Sequence, residues 1–160
     1  MQMRPPSVAD ASMQLVPIED AGSVAITAED RSGTVAAVVE QVAALYGRRG
    51  FEMPWICYLA VEQGAWVGTC GFAGPALHDE VEIAYFTFPD FEGQGVATRM
   101  VTALLALTGS TASLRGLRFI AHTLPQEGAS TSILRKAGFS CLGPVLHAED
   151  GTVWKWVRDA

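Results

Sequence analysis

Apolar residues along this chain recur with either strand-like or helix-like spacing, and the switches between the two outline its elements. MQLVPI (13–18) predicts a first strand, and residues 19–34 carry no period. Val35, Val38, Val39, Val42, Leu45 and Tyr46 then recur at helical spacing, with Ser32 or Thr34 as N-cap and Gly47 as the end. From Trp55 the pattern turns to strand. WICYLAVE, Gln63-Gly64 and AWVGTCGFAG predict an antiparallel hairpin around a tight turn. VEIAYFTF (81–88) is a third dense β run, closed by Pro89, which has no N–H for a ladder. Val96, Met100, Val101, Leu104, Leu105 and Leu107 give a helix with a broad apolar face, and Gly109 to Ser113 break it. LRFIAHTL (117–124) reads as strand again. Ile133, Leu134 and Ala137 mark a helix over 129–137, with Gly138 as a left-handed cap. FSCLGPVL and TVWKWVRD predict two last strands joined at Glu149-Asp150-Gly151.

This order predicts an α/β (α+β) sheet with one strand–helix–strand crossover, from 81–88 to 117–124. No repeat, low-complexity tract or linker interrupts it. A single domain over 1–160 is therefore expected, with the polar residues 1–12 frayed. Hydrophobic residues at 49% and charged residues at 18% place the chain among globular proteins and exclude a disordered one. The formal net charge is −6, and Arg48-Arg49 is the largest cationic cluster, so nucleic acid is not an expected partner. The apolar helical run Val101–Leu107 is too short to span a bilayer. The first residues, MQMRPPSVADASM, hold no continuous apolar segment, so no membrane association and a cytoplasmic location are expected. The apolar composition is compatible with a homodimer. Cys57, Cys70 and Cys141 lie far apart in apolar runs and form no CxxC pair, so they read as small core hydrophobes.

Candidate chemistry centres on FPDFEGQGVATRM (88–100), where two glycines stand one residue apart between a strand and a helix. A helix that opens there presents free N–H groups and the positive end of its dipole, an arrangement suited to a phosphate. A plain strand-to-helix turn is the bland alternative. A P-loop would need Gly-Lys-Ser/Thr, which the chain lacks. A dinucleotide-binding turn would need a third glycine where Thr98 stands, and an acidic end to the next strand, which instead reads His122, Thr123, Leu124. A nicotinamide-dependent dehydrogenase is therefore disfavoured.

Glu92-Gly93-Gln94-Gly95-Val96-Ala97 resembles motif A of the GNAT superfamily of acyl-CoA-dependent N-acetyltransferases, Gln/Arg-x-x-Gly-x-Gly/Ala at a strand-to-helix turn. VEIAYFTFPDFEGQGVAT is similar to the family's strand and turn throughout, and ASTSILRKAGF (129–139) resembles its later helix signature. The ending VWKW resembles the terminal strand of the branch containing the ribosomal-protein alanine acetyltransferases. The likeness runs from about Trp55 to Trp156. It implies a GNAT fold, a mixed, mostly antiparallel sheet flanked by helices, with splayed parallel strands forming the acetyl-CoA cleft. It implies acetyl-CoA as cosubstrate, no metal, and an amine acceptor. The pyrophosphate would sit on the N–H groups of Gly93, Gln94, Gly95, Val96, Ala97 and Thr98, and the pantetheine arm would pair with backbone near Phe86, Thr87 and Phe88, like an added strand.

Acetyl transfer to an amine needs a neutral amine, a stabilised oxyanion and a proton for the leaving thiolate. Glu82 lies on the cofactor strand, four residues before Phe86 and on the same face, where family members often use a carboxylate as base through water. A substrate-binding or merely solvated carboxylate is the alternative. Ser130 matches the branch's serine and is a candidate for hydrogen bonding the leaving sulfur, against a helix-capping role. The family's usual tyrosine acid is missing, since Leu134 occupies its place. Two further departures are Glu92, where Gln or Arg is commonest, and Glu127, where the branch has a cofactor-contacting Asn. They motivate a second expectation, a non-catalytic acyl-CoA-binding or regulatory module. Tyr85 reads as core, and His122 as a structural histidine at a strand end. His78 and His147 read as turn residues, Trp154 and Trp156 as packing on one face, and no ligand spacing links the three histidines. Nothing names the acceptor: a protein N-terminus, a polyamine, an aminoglycoside and a small amino-acid-like amine all stay open.

Overall fold

The computed structural model describes residues 13–160; the expectation of fraying at 1–12 lies outside the described residues. Seven strands form one sheet in the order β1-β2-β3-β4-β5-β7-β6. β1 (Gln14–Pro17), β2 (Cys57–Glu62), β3 (Ala65–Phe72) and β4 (Glu80–Thr87) run as an antiparallel meander. The predicted hairpin is β2–β3, turned by Gln63 and Gly64 at φ of 49° and 78°. The helix α2 (Val96–Leu114) then crosses over, so that β5 (Arg118–Thr123) lies parallel to β4. A last helix, α3 (Ala129–Lys136), precedes the hairpin β6 (Ser140–His147) and β7 (Gly151–Asp159), and β7 pairs antiparallel with β5.

The helices divide between the two sheet faces. Gly68 has so little room on the α2 face that a Cβ would lie 2.9 Å from the Met100 side chain and 2.7 Å from the Phe86 carbonyl oxygen. Cys70, Phe72, Ile83 and Tyr85 share that face by strand alternation, as do Phe119 and Trp156 through the pairings Val81↔Phe119 and Ala121↔Trp156. α3 packs there too, with Leu134 fully buried and the Arg135 guanidinium over Trp156. Trp154 and Trp156 share this face, as their spacing predicts, and both pack into or against the core. The opposite face carries Thr69, Gly71, Ala84 and Phe86 and is roofed by the first helix, α1 (Val35–Arg49). Tyr46 pins α1 down: its hydroxyl donates to Ile18 O at 2.8 Å and accepts the Cys57 N–H at 2.9 Å.

Three local expectations are corrected. α2 runs through Gly109 to Leu114 and does not break there. A helical glycine costs about 1 kcal/mol against Ala. Here Thr108 and Ala112, one turn apart, are fully buried and continue the apolar face past it. α1 likewise passes Gly47 and ends at Gly50, whose φ of 99° suits a cap. Its start is capped by neither Ser32 nor the Thr34 side chain; the Asp30 carboxylate accepts the N–H groups of Gly33, Thr34 and Val35 at 3.0–3.3 Å. Residues 19–34 show no period because they form irregular chain held by such contacts and by the isolated bridges Ile18↔Val24 and Glu29↔Ala65. No helix among the described residues is long and apolar enough to cross a membrane.

Candidate active site

The parallel strands β4 and β5 pair at Glu80↔Arg118, Val81↔Phe119 and Glu82↔Ile120 and then part. Beyond Glu82 the edge of β4 is therefore open. Strand alternation decides which of its groups face the gap. Ala73 N–H donates to Glu82 O and Phe88 N–H to Val67 O, so the even-numbered residues turn their backbone toward β3. The amides of Ile83, Tyr85 and Thr87 face the fork. Phe88, expected beside the pantetheine arm, is instead fully buried with its N–H already bonded, and Phe86 offers its half-exposed ring rather than its amide.

A cleft of 430 Å³ occupies the fork. Tyr85, Phe86 and Thr87 form one wall and Ala129, Ser130 and Ile133 of α3 the other, with Gly93 and Gly95 to Thr98 closing the end. Gly93 and Gly95 have φ of 75° and 77°, left-handed values that a side chain resists. Gly95 is also the N-cap of α2, where no side chain caps the helix, so the first-turn N–H groups point into the cleft region unpaired by any side chain. Of the expected turn residues, Gln94 alone does not line the cleft; its carbonyl accepts Arg99 Nη1 at 2.9 Å. Arg99 is in turn held by Glu62 at 2.6 and 3.0 Å, which fixes a cation beside the turn. Glu92 does line the cleft and is exposed. Backbone donors and open space beside Gly93 suit a pyrophosphate at this end; the charge of Arg99 is already matched by Glu62, and the exposed Glu92 carboxylate opposes an anion.

At the apex of the fork stands Glu82. Its Oε2 lies 2.9 Å from His122 Nδ1, with the side chains 29% and 16% exposed. His147 is no turn residue but the last residue of β6, and its ring meets that of His122 edge-on at 5.2 Å. Sequence order hides this meeting, because β5 and β6 become neighbours of β7 only through the sheet topology. The three side chains offer ligand atoms within 4.8 Å of one another. Yet Glu82 and His122 bond each other directly, and His147 Nδ1 accepts N–H groups of Glu149 and Asp150 at 3.2 and 3.3 Å. The group is built as a hydrogen-bonded acid–base cluster. Glu80 alongside is neutralised by Lys155 at 3.0 Å.

Ser130 is exposed in the first turn of α3, and its carbonyl accepts the Tyr85 hydroxyl at 3.4 Å. Thr131, not Ser130, serves the helix start, accepting Gly128 N–H at 3.0 Å. Tyr85 is thus more than core: it lines the cleft, and burial raises its phenol pKa, which keeps the proton in place. Glu127 sits in a neighbouring hollow, where Arg135 grips both carboxylate oxygens. That guanidinium holds the Glu127 pKa down to about 2, and its charge is matched locally instead of facing the cofactor cleft.

A second cleft, of 520 Å³, lies on the opposite face between α1 and the sheet, and the two share Tyr85 and Phe86. Cys57 and Cys70 line it, and burial pushes their thiols up to about 11 and about 12. Both stay protonated near neutrality and are poor nucleophiles. Cys141, expected in the core, is exposed on the edge strand β6.

Residues 2–140 match the family model described as the Acetyltransferase (GNAT) domain. Among curated protein sequences nothing matches. Solved structures share the fold at low identity. The acetyltransferase that modifies the N-terminal serine of ribosomal protein L7/L12 in Salmonella typhimurium is 17% identical, with 98% of each chain covered and a TM-score of 0.65. RimL, a ribosomal L7/L12 N-terminal acetyltransferase, in complex with coenzyme A, is 22% identical over 78% of this chain and 71% of its own, with a TM-score of 0.58. The microcin C7 self-immunity acetyltransferase MccE, in complex with acetyl-CoA and AMP, is 16% identical over 79% and 70%, with a TM-score of 0.61. The family match over most of the chain, on a sheet that opens at the expected fork, gives the conclusion: the chain belongs to the GNAT acetyltransferase family and is an acetyl-CoA-dependent N-acetyltransferase.

Proposed function

We propose that this enzyme acetylates a primary amine by direct transfer within the β4–β5 fork, with Glu82 as the base. The observation that carries the reading is that the open β4 edge runs from the Glu82–His122 pair, at the last β4–β5 pairing, toward the cleft at the uncapped start of α2. Gly93 and Gly95 to Thr98 would hold the pyrophosphate, and Tyr85 and Thr87 the pantetheine arm through outward-facing backbone. Acetyl-CoA supplies the acyl group as an activated thioester. An N–H of the open β4 edge is available to its carbonyl oxygen, as an oxyanion-type donor. Glu82 takes the proton that the amine must lose, directly or through a water, and the hydrogen bond from His122 holds its carboxylate in place. Ser130 and Tyr85 stand on the cleft walls where a proton can be offered to the leaving sulfur. The protonated thiols of Cys57 and Cys70 argue against a covalent acyl-enzyme.

Release of free thiol from acetyl-CoA in the presence of an amine panel tests the reading. The enzyme is expected to produce thiol and acetylated amine in equal amounts. Single-turnover formation of an acetylated protein that passes its acetyl group to added amine would contradict direct transfer.

A further inference from the structure

The second cleft has no assigned occupant, and its composition selects one. Its roof is Ala37, Val38, Gln41, Val42 and Leu45 of α1, and its floor includes Thr69, Ala84 and Phe86. No lining residue carries a charge. Its 520 Å³ falls within the range typical of small-molecule sites. The floor continues toward the reacting centre, because Glu82, Ala84 and Phe86 alternate onto one face of β4. It also touches the cofactor cleft, since Tyr85 and Phe86 belong to both. Glu82 does not line the cleft itself but is the next side chain after the lining residue Ala84 on that face, so a molecule lying on Ala84 is directed toward it.

The charges around that end of the cleft are few, and one is a cation: Arg49 of α1 lies against Gly74, next to the lining residue Ala73. On this face of the sheet Glu80 is bound to Lys155, and Glu82 to His122. A polyamine or an aminoglycoside carries several cationic groups, each needing its own carboxylate once out of water. The lining provides none for the body of the acceptor, and Asp30, beside the lining residue Thr34, is engaged by the N–H groups that start α1. Among the lining residues, Thr34 has an Oγ1 that is sealed from solvent and has no hydrogen-bond partner among the described residues, and the exposed Gln41 adds an amide at the roof.

We infer that the acceptor is a small primary monoamine with an apolar body of about aryl-alkyl size: its nitrogen meets Glu82 and its body fills the cleft under α1. This rests on the acetyltransferase reading above. The apolar cleft gives affinity by excluding water, and Glu82 selects the amine.

The test compares 2-phenylethylamine with spermidine, kanamycin and a short peptide with a free N-terminus, each with acetyl-CoA and the full chain. 2-Phenylethylamine is expected to lead in kcat/KM by roughly thirtyfold, the factor for burying one aromatic ring. Ala37→Trp, which fills the cleft from the exposed side of its roof, is expected to raise KM for 2-phenylethylamine at least about tenfold while the acetyl-CoA Kd stays as it was. Acetyl-CoA binding together with preference for spermidine, kanamycin or the peptide, or with no turnover of 2-phenylethylamine, overturns the acceptor class alone. An unchanged KM in Ala37→Trp overturns the cleft assignment. Absence of acetyl-CoA binding overturns the acetyltransferase reading itself.

Discussion

The two clefts that meet at Tyr85 and Phe86 are made in opposite ways. The cofactor cleft is largely backbone: two left-handed glycines, an uncapped helix start and the open edge of β4. The cleft under α1 is mostly side chain, assembled from α1 and from β2, β3 and β4. A backbone site demands particular residues at fixed spacing, because only glycine adopts those angles without strain and leaves the ligand room. A side-chain site demands only apolar residues at helical and strand periods, which any core also demands. The first is therefore constrained to one ligand chemistry, while the second is free to vary with the acceptor.

Several changes sharpen that contrast. The largest effect is expected where the β4–β5 pairing ends: Glu82→Gln should lower kcat by about a hundredfold or more with little change in acetyl-CoA Kd, as loss of a general base does. Steady-state kinetics and calorimetry on the same sample separate the two. Gly95→Val should weaken acetyl-CoA at least about tenfold, since a left-handed residue with a side chain costs roughly 1–2 kcal/mol and its Cβ would sit 3.0 Å from Arg99 Nη1. Gly71→Ala, in the floor of the other cleft, should cost about 1–3 kcal/mol of stability in a denaturant titration, because the Cβ would lie 2.4 Å from Ile56 O.

The smallest effects are expected at the surface. Glu127→Gln should change acetyl-CoA affinity by less than about threefold, because Arg135 already neutralises the carboxylate in a separate hollow. The native Glu127 pKa lies below its ordinary value, so the pair contributes above that ordinary value and its contribution is lost as pH falls through about 2. In Glu127→Gln that step disappears from the acid limb of a stability profile. Iodoacetamide near neutral pH should label Cys141 first, leaving the raised-pKa Cys57 and Cys70 unmodified, as peptide mapping would report.

What could be read from the sequence follows the same division. The β2–β3 hairpin was legible from Gln63-Gly64 between apolar runs, and the β4–α2–β5 crossover from a strand, a glycine turn and a helical face. The end of α2 was not, because burial of Thr108 and Ala112 outweighs the local cost of Gly109. The start of α1 was not, because its cap, Asp30, reaches forward from irregular chain. The glycine turn carried its own signature. The Glu82–His122–His147 cluster could not, since it depends on three strands whose order the sequence does not state. Nor could a period reveal that Phe88 turns its amide to β3, which required the register of β4 against β3.

The most direct test of the account is a calorimetric titration of acetyl-CoA into the wild type and into Gly95→Val, with NADH as a comparison ligand. Saturable acetyl-CoA binding by the wild type, weakened at least about tenfold in the variant and absent for NADH, is the predicted result. No saturable binding at millimolar acetyl-CoA, or equal binding by both proteins, would contradict the assignment of the glycine turn as the seat of the cofactor.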